Sequence, residues 1–115
     1  MKTAAQVYEE TDIAQKLFRI KSKDSIRNYL EREILQASKR GEYEIKVNLN
    51  NLEGFVCIPA NANFTFKEIF AEISEEMTTI LKYTIPEQEQ YSTNITISWE
   101  KPKEKPKEEG SGEGS

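Results

Sequence analysis

The amino-acid sequence predicts a small α+β domain in which helices cover one face of a three-stranded sheet. Two changes of hydrophobic period lead to this prediction. Apolar residues first recur at spacings of four, four and three, as one face of a helix requires, at Ile26, Leu30, Ile34 and Ala37. After Gly41 the period falls to two, so that one side of a strand is made by Tyr43, Ile45, Val47 and Leu49. A second helix and a last alternating strand follow.

The region before Gly41 carries signals for a helix at both of its ends. Thr3 is a suitable N-cap, and Gln6 three residues later completes a capping box. Lys39 and Arg40 place positive charge where the C-terminal end of a helix favours it. Gly41 can adopt the left-handed conformation that ends a helix at little cost. The apolar residues of the first half form a loose stripe, at Val7, Ala14, Leu17 and Phe18, with Ile13 and Ile20 beside it.

This helical region is predicted as a helix pair, with one long helix as the alternative. The polar segment KSKDS at residues 21–25 indicates a break. Ser22 or Asp24 would then cap the second helix. One helix through residues 3–40 stays open because no glycine or proline interrupts it.

A β-hairpin is predicted next. Two asparagines and a glycine mark a turn in residues 50–54, after the first strand. The apolar run at residues 55–58 fits a second, buried strand, which Pro59 ends. Cys57 lies inside this run, so we expect a small core side chain there, not a reactive thiol.

A helix and a closing strand complete the predicted domain. Thr65 and Glu68 form a second capping box. Helical spacing then connects Phe66, Ile69, Phe70, Ile73, Met77, Ile80 and Leu81, and the helix ends before Pro86. The last strand covers residues 91–99, where one face is made by Tyr91, Thr93, Ile95, Ile97 and Trp99. The domain is therefore expected to span residues 1–99, and residues 100–115, which contain no apolar side chain, are expected to be disordered.

The composition of the 115 residues argues against several classes of enzyme and metal protein. The chain has no histidine and one cysteine, so serine–histidine and cysteine–histidine catalysis, a disulfide and the common zinc sites are not expected. No glycine-rich phosphate loop is present. We therefore expect no catalytic residue, no metal and no cofactor. No apolar run is long enough for a membrane span or a secretion signal, which favours the host cytoplasm or a virion over a secreted protein.

Charge divides the chain into a basic and an acidic segment. Residues 16–40 hold eight basic and three acidic side chains, whereas residues 41–99 hold three basic and nine acidic ones. The candidate surface for an anionic partner is Lys16, Arg19, Lys21, Lys23 and Arg27. The candidate acidic partner face is Glu68, Glu72, Glu75 and Glu76. The favoured interpretation is that these opposite charges attract each other within the fold. Nucleic-acid binding is disfavoured because the whole chain is acidic, with a pI near 5.0.

The order of elements resembles a diffuse group of small α/β proteins encoded by tailed bacteriophages. The resemblance is carried by a helix that ends in Lys39-Arg40-Gly41-Glu42-Tyr43 and leads into a strand, and by the closing strand Ile95-Thr96-Ile97-Ser98-Trp99. The strand at residues 55–58 departs from the pattern. The resemblance implies a viral origin and a non-enzymatic task, and it assigns no functional residue.

Three functions follow as expectations. The first is a phage accessory protein, virion-associated or active in assembly, that works through protein–protein interaction or self-association, since a small sheet leaves open edges. The second is a small-ligand or nucleotide-binding protein that acts against host defence, with the basic segment meeting phosphates. The third is an inhibitor of a host enzyme that uses the acidic face at residues 68–76.

We predict that removing the chain after Glu100 leaves the free energy of unfolding unchanged. The removed segment has no apolar surface to lose, and its close mixture of lysines and glutamates makes a weak, screened field. A chain that ends at Ser98 also lacks Trp99, and we expect it to unfold. Chemical denaturation of the two chains measures the contrast. A loss of more than about 1 kcal/mol in the longer chain would place the tail against the domain.

Overall fold

The longest element is one continuous helix, α1, which spans Ala4–Lys39 in a computed structural model. The structure describes residues 1–86 and 93–99. The predicted break at residues 21–25 is wrong, and the alternative of one helix is confirmed. Ser22 is buried inside α1 and caps nothing. Polar residues disfavour a helix by only a few tenths of a kcal/mol each, so packing of the adjacent Ile26 face decides the outcome.

Both ends of α1 are capped as the sequence predicts. At the start, the N–H of Gln6 donates to Thr3 Oγ1 over 3.2 Å, and the N–H of Thr3 donates to Gln6 Oε1 over 2.9 Å. At the end, Gly41 has a φ of +79°. The N–H of Glu42 reaches the carbonyl of Ala37 over 2.9 Å, and the N–H of Gly41 reaches that of Ser38 over 3.0 Å. This is a Schellman motif, and it turns the chain directly into the sheet.

The first strand, β1, covers Glu44–Asn48, and a short helix, α2, covers Leu49–Val56. The predicted strand at residues 55–58 is therefore wrong. Leu52 and Val56 are buried one helical turn apart, and the side chain of Asn48 caps the helix by accepting from the N–H of Asn51 over 3.0 Å. The apolar run was too short to distinguish a strand from the end of a helix by period.

Cys57 also differs from its predicted place. It is exposed, it follows α2, and its φ of 55° is left-handed. Its thiol donates to the carbonyl of Gly54 over 3.1 Å. The residue therefore ends a helix at the surface, where a left-handed position is expected.

The third helix, α3, spans Phe66–Thr79 and begins with the predicted capping box of Thr65 and Glu68. Its buried side begins at Phe66, and Phe70 packs against the core from a half-buried position. Helical spacing within α3 places three further side chains in the core, those of Ile69, Ile73 and Met77. Ile80 and Leu81, which were predicted to continue this face, are exposed beyond the end of α3.

The second strand, β2, spans Asn94–Ser98 and pairs antiparallel with β1. The register places Ile45 opposite Ile97 and Val47 opposite Ile95, so the predicted inward face is confirmed at these four positions. Tyr43 is exposed instead. The predicted third strand is absent from the part of the chain that the structure describes. Residues 91–92 of the predicted last strand and the predicted tail lie outside the described residues.

One core draws side chains from every element. The six largest fully buried side chains are Ile26, Leu30, Leu52, Ile69, Ile73 and Ile97. Trp99, which was expected to be buried, is half-buried and meets Tyr83 edge to face at 6.3 Å between ring centroids. In α1 the buried positions begin only at Ser22, and residues 1–11 are all exposed. The first turns of α1, up to residue 11, therefore extend past the core.

We predict that Leu52→Ala lowers the free energy of unfolding by about 2–5 kcal/mol, because α2 buries this side chain completely. Leu35→Ala is the matched control. Leu35 is 56% exposed on α1, so the same change there should cost less than about 0.5 kcal/mol. Urea denaturation of both variants gives the comparison. Equal losses would mean that α2 does not pack as described.

Candidate interaction surface

A ladder of ion pairs joins α1 to α3. Arg19, Lys23 and Arg27 follow one another at spacings of four on α1, and Glu72 and Glu76 do so on α3. Arg19 pairs with Glu72. Lys23 Nζ lies 3.1 Å from Glu72 Oε1 and 3.5 Å from Glu76 Oε2. Arg27 Nη2 donates to both carboxylate oxygens of Glu76, over 2.8 and 3.0 Å. We call these five residues the ion-pair ladder.

The ladder holds Glu76 in its charged form. The hydrogen bonds from Arg27 are the largest cause that lowers the pKa of Glu76 below its ordinary value of 4.5. Burial opposes them, and the charges of Arg27 and Lys23 lower the pKa further. The side chain of Glu76 keeps 36% of its exposure, so water screens these pairs. The ladder consequently fixes how α1 and α3 face each other more than it stabilises the fold.

The ladder engages part of both predicted partner surfaces. It takes three of the five basic candidates and two of the four acidic ones, which confirms that these opposite charges attract each other within the fold. Of the remaining basic residues, Lys16 pairs with Asp12 one turn away at 3.1 Å, and Lys21 has no ion-pair partner among the described residues. Of the remaining acidic residues, Glu68 caps α3, and Glu75 is exposed beside the ladder.

Three apolar side chains form an unpartnered stripe on the outer face of α1. Ile13, Leu17 and Ile20 are 59%, 51% and 55% exposed. Their spacings of four and three place them together. Leu17 precedes the buried Ile26 by nine residues, or about two and a half helical turns, so it points away from the core. We call these three residues the outer stripe.

The sequence predicts a loose apolar stripe at Val7, Ala14, Leu17 and Phe18, with Ile13 and Ile20 beside it. Only Phe18 of that stripe packs against the core, while Val7 and Leu17 are exposed. The sequence signal for this orientation was the spacing of nine residues between Leu17 and Ile26, which puts the two side chains on opposite sides of one helix. The predicted break at residues 21–25 hid this signal, because it assigned the two residues to different helices.

A smaller aromatic cluster lies where α1 meets α2. The rings of Tyr29 and Phe55 have centroids 5.1 Å apart, and the guanidinium of Arg32 lies 5.5 and 5.8 Å from them. Phe55 is 51% exposed. The three side chains of this cluster thus contact one another within the chain. A cation–π contact at such an exposed site contributes about 0.5–1 kcal/mol to stability.

A cavity of about 100 Å³ lies between α1 and α3. Its wall is mainly apolar and includes Leu30, Ile34, Ile73, Met77, Leu81 and Tyr83, and Arg27, Glu31 and Glu76 add charged groups. Small-molecule sites in proteins are usually about 300–1,000 Å³. The cavity therefore has room for a side chain and not for a nucleotide.

Two further features are absent from the described residues, a metal-binding cluster and a membrane-spanning helix. They contain no group of three or more histidine, cysteine, aspartate or glutamate side chains arranged to hold a metal ion. No helix within residues 1–86 and 93–99 has the length and apolar character needed to cross a membrane. Comparison with protein-family models, with curated proteins and with solved structures finds no match to this chain.

We predict that Glu76→Gln lowers the free energy of unfolding at pH 7 by at most about 1 kcal/mol, since the pairs of the ladder are half exposed. Because folding lowers the pKa of Glu76, its contribution is complete well above 4.5 and is lost as the pH falls below that value. The difference between the two proteins should therefore close in acid.

The matched control is Glu75→Gln, one residue away and outside the ladder. Urea titrations of all three proteins from pH 7 to pH 3 give the comparison. The assignment of the ladder would be wrong if both variants lost the same stability, or if the loss in Glu76→Gln did not depend on pH.

Proposed function

We propose that this protein is a non-enzymatic interaction protein that docks on another protein through the outer stripe of α1. The observation that carries the proposal is the half-exposed apolar row of Ile13, Leu17 and Ile20, which no described element covers. Spacings of four and three are those by which one helix packs along another. The partner surface we propose is therefore an amphipathic helix.

Charge beside the outer stripe specifies that helix further. Lys16 and Lys21 lie on either side of the stripe, and both are exposed. The side chain of Lys16 retains 73% of its exposure despite its contact with Asp12. An apolar helix face bordered by glutamate or aspartate complements this arrangement, and such borders select a partner and its orientation.

The size of the stripe limits the affinity. Full burial of an isoleucine or leucine side chain is worth about 1.5–3 kcal/mol, and these three are already half covered, so together they supply about 3–4 kcal/mol. A micromolar complex requires about 8 kcal/mol after the entropy of association has been met. The proposed contact is thus weak unless it is repeated or extended by the partner.

The setting we propose is a phage virion or an infected cell, and the resemblance of residues 24–99 to small phage proteins is its only support. The two other functions have less support. A nucleotide site or an acidic inhibitory face requires free charges, and the ion-pair ladder engages three of the five basic candidates and two of the four acidic ones. We assign Lys16 and Lys21 to the border of the proposed docking surface.

We expect a photoreactive residue at position 17 to cross-link a partner protein in a lysate of infected cells. The same residue at position 8 is the matched control, because Tyr8 is exposed on α1 and precedes Leu17 by nine residues, so it faces the opposite side of the helix. Peptide mapping should locate the cross-link on an amphipathic helix with acidic borders. Replacing Ile13 and Ile20 by glutamine should remove it while circular dichroism shows that α1 stays helical. Equal cross-linking at both positions, or persistence in the glutamine variant, would refute the proposal.

A further inference from the structure

The hydrogen bonds of the sheet define which side of β1 is occupied. The N–H of Trp99 donates to the carbonyl of Tyr43 over 3.0 Å, and the N–H of Leu49 donates to that of Thr93 over 2.7 Å. In an antiparallel pair, alternate residues of a strand turn their main-chain groups to the same neighbour. Ile45 therefore also bonds toward β2. The main-chain groups of Glu44 and Lys46 point to the opposite side.

Among the described residues, that opposite side of β1 is an open edge. No described residue bonds the main-chain N–H or C=O of Glu44 or Lys46, and both residues are exposed. The other edge of the sheet is partly closed, because Ser98 and Thr84 exchange two main-chain bonds of 2.8 and 2.9 Å. An open strand edge is a template for another strand.

We propose that the open edge of β1 pairs with β1 of a second copy of the chain, antiparallel about a two-fold axis at Ile45. The outward main-chain groups of one strand must meet those of the other. This register places Glu44 opposite the partner's Lys46, and Lys46 opposite the partner's Glu44. Each pair exchanges both of its main-chain bonds, and each brings opposite charges together on the solvent face.

The charges select this register over its neighbour. Moving the axis to Lys46 keeps the main-chain bonds but opposes two lysines, which is unfavourable. A lone edge lysine normally discourages strand pairing. Here Glu44 lies on the same face two residues earlier, so in the dimer each Lys46 meets a glutamate of opposite charge.

The same register accounts for Tyr43. This residue continues the inward alternation of Ile45 and Val47, yet it is 61% exposed. In the dimer, Tyr43 lies opposite the partner's Val47 and Ile45 lies beside the partner's Ile45. Two strands with one apolar face are marginal by themselves, and the dimer converts them into a sheet of four.

This inference is independent of the proposed docking function, because it uses β1 and leaves the outer stripe of α1 free. A dimer presents two outer stripes to one assembly. Two weak contacts on a rigid body can then bind with an avidity far above that of either contact.

Sedimentation equilibrium of the full chain and of two charge variants tests the inference. In the proposed register, position 44 of each copy faces position 46 of the other. Glu44→Lys places two lysines in each of these pairs, and Lys46→Glu places two glutamates in each. We expect each to raise the dimer dissociation constant at least about tenfold. An equimolar mixture of the two restores complementary charge at both positions, so the dimer should return as a heterodimer. Lys67→Glu, an exposed charge at the start of α3, is the control and should leave the dimer intact.

The outcomes separate this inference from the docking proposal. A full chain that stays monomeric at several hundred micromolar overturns it, as does a dimer that both charge variants retain. Failure of the mixture to restore the dimer also overturns it, since each variant's circular dichroism reports its folding independently. A dimer lost on replacing Ile13 and Ile20 by glutamine, but kept in both charge variants, would place self-association on the outer stripe instead.

Discussion

The burial of one face of α1 is the interaction on which the rest of the structure depends. Ile26, Leu30 and Ile34 enter the same core as side chains from α2, α3 and both strands. Each buried aliphatic side chain is worth about 1.5–3 kcal/mol, whereas each exposed ion pair contributes about 1 kcal/mol or less. The apolar face therefore supplies the stability, and the ion-pair ladder sets the register of α3 along it.

The completely buried positions of α1 lie in its C-terminal half. Its N-terminal half adds Phe18, which packs against the core, and Gln15, which forms hydrogen bonds with the main chain of the loop before α3. The first turns are exposed and keep their helical form through the Thr3 capping box and through continuity with the packed part, since short unsupported helices are marginal in water. The side of α1 that faces away from these contacts is apolar at Ile13, Leu17 and Ile20. A helix that is already ordered loses little further conformational entropy when it docks.

The open edge of β1 and the outer stripe offer different kinds of interaction. In the proposed dimer, the edge contributes main-chain hydrogen bonds and charge pairs, which specify a register but bury little apolar surface. The stripe contributes apolar area without strong directionality. Each is weak alone, and a protein of this size that joins both can form an assembly in which repeated weak contacts act together.

The parts of the fold that depend on local chemistry were predictable from the sequence. The two capping boxes, the left-handed Gly41 and the alternation of Ile45 and Val47 follow from side chains within a few residues of one another, so their patterns were sufficient. The sequence also identified the opposite charges of α1 and α3 that form the ladder. It offered both a broken and a continuous α1, because polar residues weaken a helix only slightly.

Other features of the fold depend on contacts between residues that are distant in the sequence. Burial of Ser22 and Ile26 selected the continuous helix, and burial of Leu52 and Val56 selected α2 over a strand, because core contacts outweigh local propensity. The proposed interaction surfaces also depend on distant contacts. The phase of Leu17 relative to Ile26 indicates which side it faces only when α1 is known to be continuous, and that continuity depends on core packing. Which edge of β1 stays open depends on where the other elements lie.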